Sequence, residues 1–89
     1  MILVQYLAKW DPMGFIEMGA PEDEYSFEAA DIKLKFRPRM TEQEIAELIY
    51  EVFDSQIGID SESASRFKKE CVAHTPAIQT ILADETNLR

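Results

Sequence analysis

Cys71 and His74 are the two residues whose types suit metal or nucleophilic chemistry, and they lie three positions apart in a stretch with helical spacing. That spacing suits two ligands of one zinc ion, but a closed zinc site needs four ligands and the chain has one Cys and one His. A nucleophilic pair would also need an orienting group and oxyanion donors, and no accompanying motif supplies them. We predict a buried thiol and a packed imidazole, with no catalytic residue, no metal site and no cofactor.

The acidic run Glu22-Asp23-Glu24 is a second candidate site, and Tyr25 and Phe27 follow it closely. The run lacks the alternating acidic spacing and the downstream glutamate of a calcium loop, so we assign no metal to it. Carboxylates at the start of a helix also compensate its dipole, and this structural role alone could explain the acidic run. The alternative is a recognition patch in which charge steers a partner and an aromatic side chain anchors it. The patch that we predict consists of Glu22, Asp23, Glu24, Tyr25 and Glu28.

Four basic residues alternate with apolar ones in the next segment: Lys33, Lys35, Arg37 and Arg39. An extended segment of this kind could contact phosphates, but the whole chain has nine Lys and Arg against 17 Asp and Glu, a formal net charge of −8. Such a charge repels nucleic acid and anionic membranes, so we predict neither as a partner. A protein with a basic surface is electrostatically complementary to this acidic chain, so we expect a basic protein as the partner.

The 89 residues suffice for one modest core, and a 46% apolar content predicts that residues 1–89 fold as a single domain. A single cysteine excludes an internal disulfide and favours a reducing compartment. The apolar start of the sequence lacks a basic leader, and no stretch has the roughly 18 apolar residues that span a bilayer. We therefore expect a cytoplasmic protein.

Helical spacing of apolar residues begins at once, because Ile2, Leu3, Tyr6, Leu7 and Trp10 form one stripe. This pattern predicts a helix over residues 2–10 that ends at the Asp-Pro-Met-Gly turn of residues 11–14. A proline followed by carboxylates at residues 21–24 is typical of a first helical turn, and predicts a short helix there.

Residues 27–37 fit two patterns. Ala29, Ile32 and Phe36 have helical spacing, whereas Ile32, Leu34 and Phe36 alternate with charged residues as in a strand. We favour the helix, because no second strand is evident for pairing. Pro38 ends the element in either case.

The second half of the chain predicts two more helical regions. Thr41 and Glu44 form a capping box, and an apolar stripe follows it to a point just before Gly58. Asp60, Ser61 and Ser63 are candidate caps for the last region. Its apolar face consists of Ala64, Phe67, Cys71, His74, Ile78, Ile81 and Leu82.

Pro76 interrupts that last face, since it lacks an amide and clashes with the carbonyl of Val72, so we expect a kink or two helices that meet near Thr75. The predicted fold is all-α, a small single-domain bundle of four to five short helices, with the last helix kinked or broken at Pro76.

Two segments, Trp10–Phe15 and Gly19–Tyr25, resemble the YugE-like family of small uncharacterised bacterial proteins, which have a W-D-P-I-G turn, a P-x-D-E-Y run and then an amphipathic helix. The similarity covers roughly residues 8–58. Met13 stands where the family usually has Ile, and Ser26 where an acid is common. The resemblance implies a small helical fold and, because the family has no established activity, no mechanism.

Small acidic proteins related to such families also occur as immunity proteins beside polymorphic toxins, including those of contact-dependent growth inhibition. By that analogy we expect a protein-binding inhibitor that neutralises a basic toxin domain, in particular a nuclease, rather than an enzyme. The alternative is a YugE-like housekeeping adaptor or regulatory subunit with an unknown protein partner. In either role the chain is expected to be a monomer or a weak dimer.

Overall fold

The computed structural model describes residues 2–87, and over this range the chain is an all-α bundle of four helices without a strand. The helices are α1 (Ile2–Trp10), α2 (Ser26–Lys35), α3 (Glu42–Gln56) and α4 (Ser61–Asn87). Met1, Leu88 and Arg89, which belong to the predicted single domain, lie outside the described residues. None of the four helices is long and apolar enough to cross a membrane.

One core unites the four helices. Its centre lies between α3 and α4, while α2 packs on α3 and α1 packs on α4 and α2. Apolar side chains that are at most 1% exposed come from every helix and from Tyr25 just before α2: Leu3, Leu7, Tyr25, Ala29, Ile32, Ile45, Ile49, Val52, Phe53, Cys71, Ile78 and Leu82. Burial of such apolar side chains is the main favourable contribution to folding.

Helix α1 has the predicted bounds, and its apolar stripe buries Leu3 and Leu7. Its first turn is tied to the far end of α4, because the amide of Leu3 donates to Oε1 of Glu85 over 3.2 Å. Oε2 of the same carboxylate lies 2.6 Å from the ammonium group of Lys33 in α2. Glu85 therefore joins three helices at one end of the bundle.

The ambiguous segment is a helix, as we favoured. Leu34 decides between the two patterns, because a strand would place it on the same face as Ile32 and Phe36, yet it is 74% exposed while they are buried. The short helix predicted at Pro21 is wrong. Residues 22–25 form turns, in which the Glu24 amide donates to the Pro21 carbonyl over 3.0 Å, and α2 begins only at Ser26.

The capping box of α3 is confirmed. The Glu44 amide donates to Oγ1 of Thr41 over 3.1 Å, and the Thr41 amide donates to Oε1 of Glu44 over 2.8 Å. The helix ends at Gln56, and Gly58 follows with a φ of +86°. Glycine suits that left-handed conformation after a helix, since it has no Cβ to clash.

Helix α4 starts from the first of its three candidate caps, since Oδ1 of Asp60 accepts from the Ser63 amide over 2.8 Å. It then runs without a break through Pro76, so the alternative of two helices meeting near Thr75 does not hold. Pro76 lies on the exposed side of α4, where water can replace the amide that the Val72 carbonyl lacks. The bundle therefore has four helices, the last one long.

Candidate functional site

The predicted acidic patch is only partly on the surface. Glu22, Asp23 and Glu24 are exposed in the turns that precede α2. Tyr25 is 0% exposed and Glu28 is 7% exposed, so the structure contradicts the surface roles predicted for these two residues. The exposed aromatic side chain beside the carboxylates is Phe27, at 76%.

Tyr25 is buried because it holds the loop between α1 and α2. Its ring stacks on Phe15 at a centroid distance of 6.0 Å and lies 5.9 Å from that of Phe53. Its hydroxyl group donates to Oδ1 of Asp11 over 2.6 Å and accepts from the Met13 amide over 3.2 Å. Burial and the Asp11 carboxylate both raise the pKa of Tyr25, which keeps the hydroxyl protonated.

Asp11 organises the other side of the same loop. It has a left-handed backbone with a φ of +51°, which Asp tolerates better than most residues. Its carboxylate accepts from the amides of Ile16 and Glu17, each over 3.0 Å. Partial burial acts to raise the pKa of Asp11, but the hydrogen bonds from Tyr25 and these amides outweigh it and lower the pKa. The Trp-Asp-Pro-Met-Gly and Glu-Asp-Glu-Tyr segments thus meet through a structural hydrogen bond.

Glu28 lies on the buried side of α2 beside Ala29. Its Oε1 has no hydrogen-bond partner among the described residues, which is costly for a buried polar atom. Burial, and then the neighbouring charge of Glu24, raise the pKa of Glu28. Glu28 is therefore a buried carboxyl group with one unpartnered oxygen, and not an exposed contact for a partner.

Cys71 and His74 occupy separate environments, as the prediction of a buried thiol and a packed imidazole requires. Cys71 is 1% exposed in the core, and burial, with a contribution from Glu70, raises the pKa of its thiol to about 12. His74 is half-buried against α1, where its ring stacks on Trp10 at 4.1 Å and its Nδ1 lies 2.6 Å from the Tyr6 hydroxyl. Burial lowers the pKa of His74. The negative charge of Glu70 acts to raise this pKa but does not outweigh burial.

The described residues include no group of three or more His, Cys, Asp or Glu side chains that could hold a metal ion. The contacts around His74 join α1 to α4. Beside the ring of His74, the indole nitrogen of Trp10 in α1 donates to Oε1 of Glu70 in α4 over 3.1 Å. Tyr6, Trp10, Glu70 and His74 thereby connect α1 to α4 through polar and aromatic contacts.

The alternating basic residues are largely engaged within the fold. Lys33 pairs with Glu85, and Lys35 lies 3.4 Å from Asp31 one turn earlier in α2. The guanidinium group of Arg37 donates to the carbonyls of Leu34 and Phe36 at the end of that helix, over 3.1 and 2.9 Å. These side chains do not line an extended edge, because α2 is helical up to Lys35.

A groove of about 680 Å³ lies between α3 and α4, and the sequence patterns did not point to it. Its α3 wall includes the carboxylates of Glu42, Glu47 and Glu51, and its α4 wall includes Lys68 and Val72. Val72 is 62% exposed, so its apolar side chain is available on the groove surface. Tyr50, which is half-buried, completes the apolar part of the lining.

The charge around this groove is strongly one-sided. Helix α3 has five acidic residues and no basic one: Glu42, Glu44, Glu47, Glu51 and Asp54. Lys68 is the basic residue of the lining, and its ammonium group lies 5.2 Å from the ring centroid of Tyr50, a cation–π geometry. The groove already accommodates one cation on an aromatic face.

The acid content of α3 and the apolar Val72 were visible in the sequence, but their proximity was not. The apolar stripe of α3 predicts which face is buried, whereas the groove lies beside that stripe, between α3 and α4. Only the packing of the two helices places Val72 opposite the carboxylates.

No protein-family model matches this chain, and neither a curated protein nor a solved structure is significantly similar to it.

Proposed function

We propose that this chain is an acidic protein-binding inhibitor that holds a basic, amphipathic segment of its partner in the groove between α3 and α4. The observation that carries the proposal is the exposed Val72 opposite a row of carboxylates in a concave surface. Concave apolar surfaces with a polar rim are the usual form of a binding site.

Charge supports a basic partner. The formal net charge of the chain is −8, and Glu42, Glu47 and Glu51 concentrate part of it along one wall of the groove. Such a surface attracts cations over distances of about a Debye length, roughly 8 Å at physiological ionic strength, and speeds association. A Lys or Arg of the partner can take the place of Lys68 above the ring of Tyr50.

The apolar surface supports a helical segment as the bound element. An amphipathic helix binds a groove between two helices through apolar residues spaced three and four apart, while its polar face contacts the rim. Val72 and Tyr50 provide the apolar contact, and the α3 carboxylates provide the rim. The exposed turn Glu22–Glu24 lacks such a concave surface, so we propose that it contributes long-range steering and not the contact itself.

The role that we propose is that of an immunity protein, in which the partner is the basic domain of a toxin such as a nuclease. An acidic inhibitor suits this task because electrostatic attraction raises the association rate, and rapid capture protects the cell. The contact needs no reaction at the groove, only occupation of a basic surface that the toxin needs for its substrate.

Binding can be tested with a synthetic amphipathic helix of Lys and Leu and a matched peptide of Glu and Leu, followed by methyl and amide NMR of the labelled protein. The Lys peptide should shift the resonances of Val72 and Tyr50, and the Glu peptide should not. Replacing Glu47 and Glu51 by Lys should weaken binding by about tenfold at low salt. Asp84→Lys, a charge reversal at an exposed position of α4 outside the groove, is the control.

Two further variants separate apolar contact from charge. Val72→Ser should weaken binding at all salt concentrations, whereas Met18→Ser, at another exposed apolar position, should have no effect. Lys68→Ala should strengthen binding of the Lys peptide, because it removes a repulsive charge and frees the ring of Tyr50. Equal binding of both peptides, or shifts confined to residues outside the groove, would contradict the groove proposal.

The inhibitor role needs its own test. A toxin encoded next to this gene should lose its toxicity when the chain is coexpressed, and the Val72→Ser variant should restore toxicity while remaining folded. If a neighbouring toxin is equally toxic with and without the chain, the immunity role is refuted. That result does not contradict the proposal that the groove binds a basic helix.

A further inference from the structure

The outer face of α2 is an apolar stripe that no described residue covers. Phe27 and Leu34 are 76% and 74% exposed, and they lie seven residues apart, which places them on the same side of the helix. Ala30 is exposed between them. Two large exposed apolar residues on one short helix indicate an interaction surface more often than isolated ones do.

Opposite charges flank the two ends of this stripe. The exposed turns before α2 contain Glu22 and Glu24, and the exposed segment after it contains Arg37 and Arg39. Two hydrogen bonds to backbone carbonyls hold the guanidinium group of Arg37 beside the last turn of α2. The surface is therefore negative at one end, apolar in the middle and positive at the other end.

Two copies of this surface are complementary when one is turned end to end relative to the other. If a second α2 lies antiparallel, with a two-fold axis between positions 30 and 31, Phe27 faces Leu34 of the second copy. The same antiparallel arrangement brings the turn that contains Glu24 near the segment that contains Arg37 of the second copy, and the axis makes each contact occur twice. Ala30, at the centre, is small enough to let the two helices approach closely.

We propose that two copies of this chain associate through an antiparallel, two-fold contact of their α2 helices. The partner is a second copy and not an unrelated protein, because both the apolar residues and the charges find their complements within the same ten-residue helix and its flanks. A parallel pairing would instead place like charges together at both ends.

The dimer should be weak. Helix α2 is about 15 Å long, given a rise of 1.5 Å per residue, and a contact of that length buries less than the roughly 800 Å² per partner of a standard interface. We expect a dissociation constant in the micromolar range or above. The surface shares no residue with the groove between α3 and α4, so dimerisation does not occupy the groove.

Sedimentation equilibrium of the intact chain up to millimolar concentration tests the association. The parent should dimerise, and Phe27→Ser or Leu34→Ser should leave it monomeric, while Met18→Ser, equally exposed elsewhere, should dimerise like the parent. A parent that stays monomeric at millimolar concentration overturns the proposal. So does a dimer that is unaffected by both α2 substitutions.

Charge reversal tests the antiparallel register. Glu24→Arg and Arg37→Glu should each weaken dimerisation by at least tenfold, because each places like charges together twice. An equimolar mixture of the two variants should form a heterodimer, since both ends then pair Arg with Glu. Thermal unfolding of each variant verifies the fold, because Arg37 also binds backbone carbonyls. A mixture that remains monomeric, when the variants are folded and the parent dimerises, overturns this register.

Discussion

Asp11 and Tyr25 show how two separated segments of the sequence become one structural unit. The side chains are 14 positions apart, and a 2.6 Å hydrogen bond joins them beneath a loop that also uses the left-handed backbone of Asp11. A hydrogen bond that involves a carboxylate is stronger than one between neutral groups, so the pair should contribute more to stability than an average polar contact.

Tyr25→Phe tests this contribution. The substitution keeps the ring and its stacking on Phe15 but leaves the carboxylate of Asp11 and the Met13 amide without the hydroxyl group. We expect the free energy of unfolding to fall by about 1–3 kcal/mol, measured by urea denaturation. Tyr50→Phe, at a half-exposed tyrosine, is the control and should change little. An unchanged stability of Tyr25→Phe would mean that the loop does not depend on this bond.

The contribution of Glu28 to the free energy of unfolding should depend on pH. Its pKa in the folded chain is raised above the ordinary value of 4.5, because burial disfavours the charged form. The folded state therefore binds the proton more strongly than the unfolded state, and stability from this group is present below pH 4.5 and lost as the pH rises through the raised pKa.

Glu28→Gln should remove that dependence. At pH 7 the variant should be more stable than the parent by about 1 kcal/mol, since a neutral amide is less costly to bury than a carboxylate. Below pH 4.5 the advantage should disappear, because the parent is then protonated. Thermal melts at both pH values provide the measurement, with Glu51→Gln on the exposed side of α3 as the control. A variant that is less stable at pH 7 would show that the carboxylate has a favourable partner.

Among the elements, α3 depends on local interactions at its start. The Thr41 and Glu44 side chains satisfy each other's backbone amides, a pattern that depends only on residues three apart. This locality is why both bounds of the helix follow closely from the sequence. Helix α4 is different, because it continues through Pro76, where local rules predict a kink or a break.

Thr41→Ala should therefore lower the free energy of unfolding by about 1 kcal/mol, because the Glu44 amide loses its acceptor. The effect should appear as a lower midpoint of urea denaturation with an unchanged slope. Ser55→Ala, at an exposed position near the other end of α3, is the matched control and should be neutral or slightly stabilising. If both variants unfold at the same denaturant concentration, the capping box does not stabilise the folded chain.

For the whole molecule, net charge and contact surface should have separable effects on partner binding. Replacing Glu22, Asp23 and Glu24 by Lys changes the overall charge of −8 by two units per residue but leaves the groove untouched. If these carboxylates only steer, the variant should associate with the Lys and Leu peptide several-fold more slowly than the parent at low salt. This difference should shrink as salt is added, because salt screens the attraction that speeds association of the parent. The dissociation rate should stay the same.

Stopped-flow kinetics at several ionic strengths measures both rates. A faster dissociation of the triple variant would mean that the turn before α2 contacts the partner directly, as the sequence pattern predicts for these three residues. Asp84→Lys again reports the effect of one charge change at a distance from both surfaces.

The sequence by itself determined the all-α fold, the bounds of α1 and α3, and the burial of Cys71. These features follow from local rules, in which apolar spacing, caps and breakers act over three or four residues. For residues 27–37 such rules left two answers, and the position of Leu34 on the outside of the bundle chose the helix.

Only the tertiary structure decided which side chains of the acidic patch and of the groove are accessible. Tyr25 follows three exposed carboxylates in the sequence, yet the loop from α1 folds over it and its hydroxyl group binds Asp11. Val72 and Glu47 are far apart in sequence and line one groove because α3 and α4 pack against each other. Contacts between distant residues depend on how whole helices pack, and no local pattern encodes that arrangement.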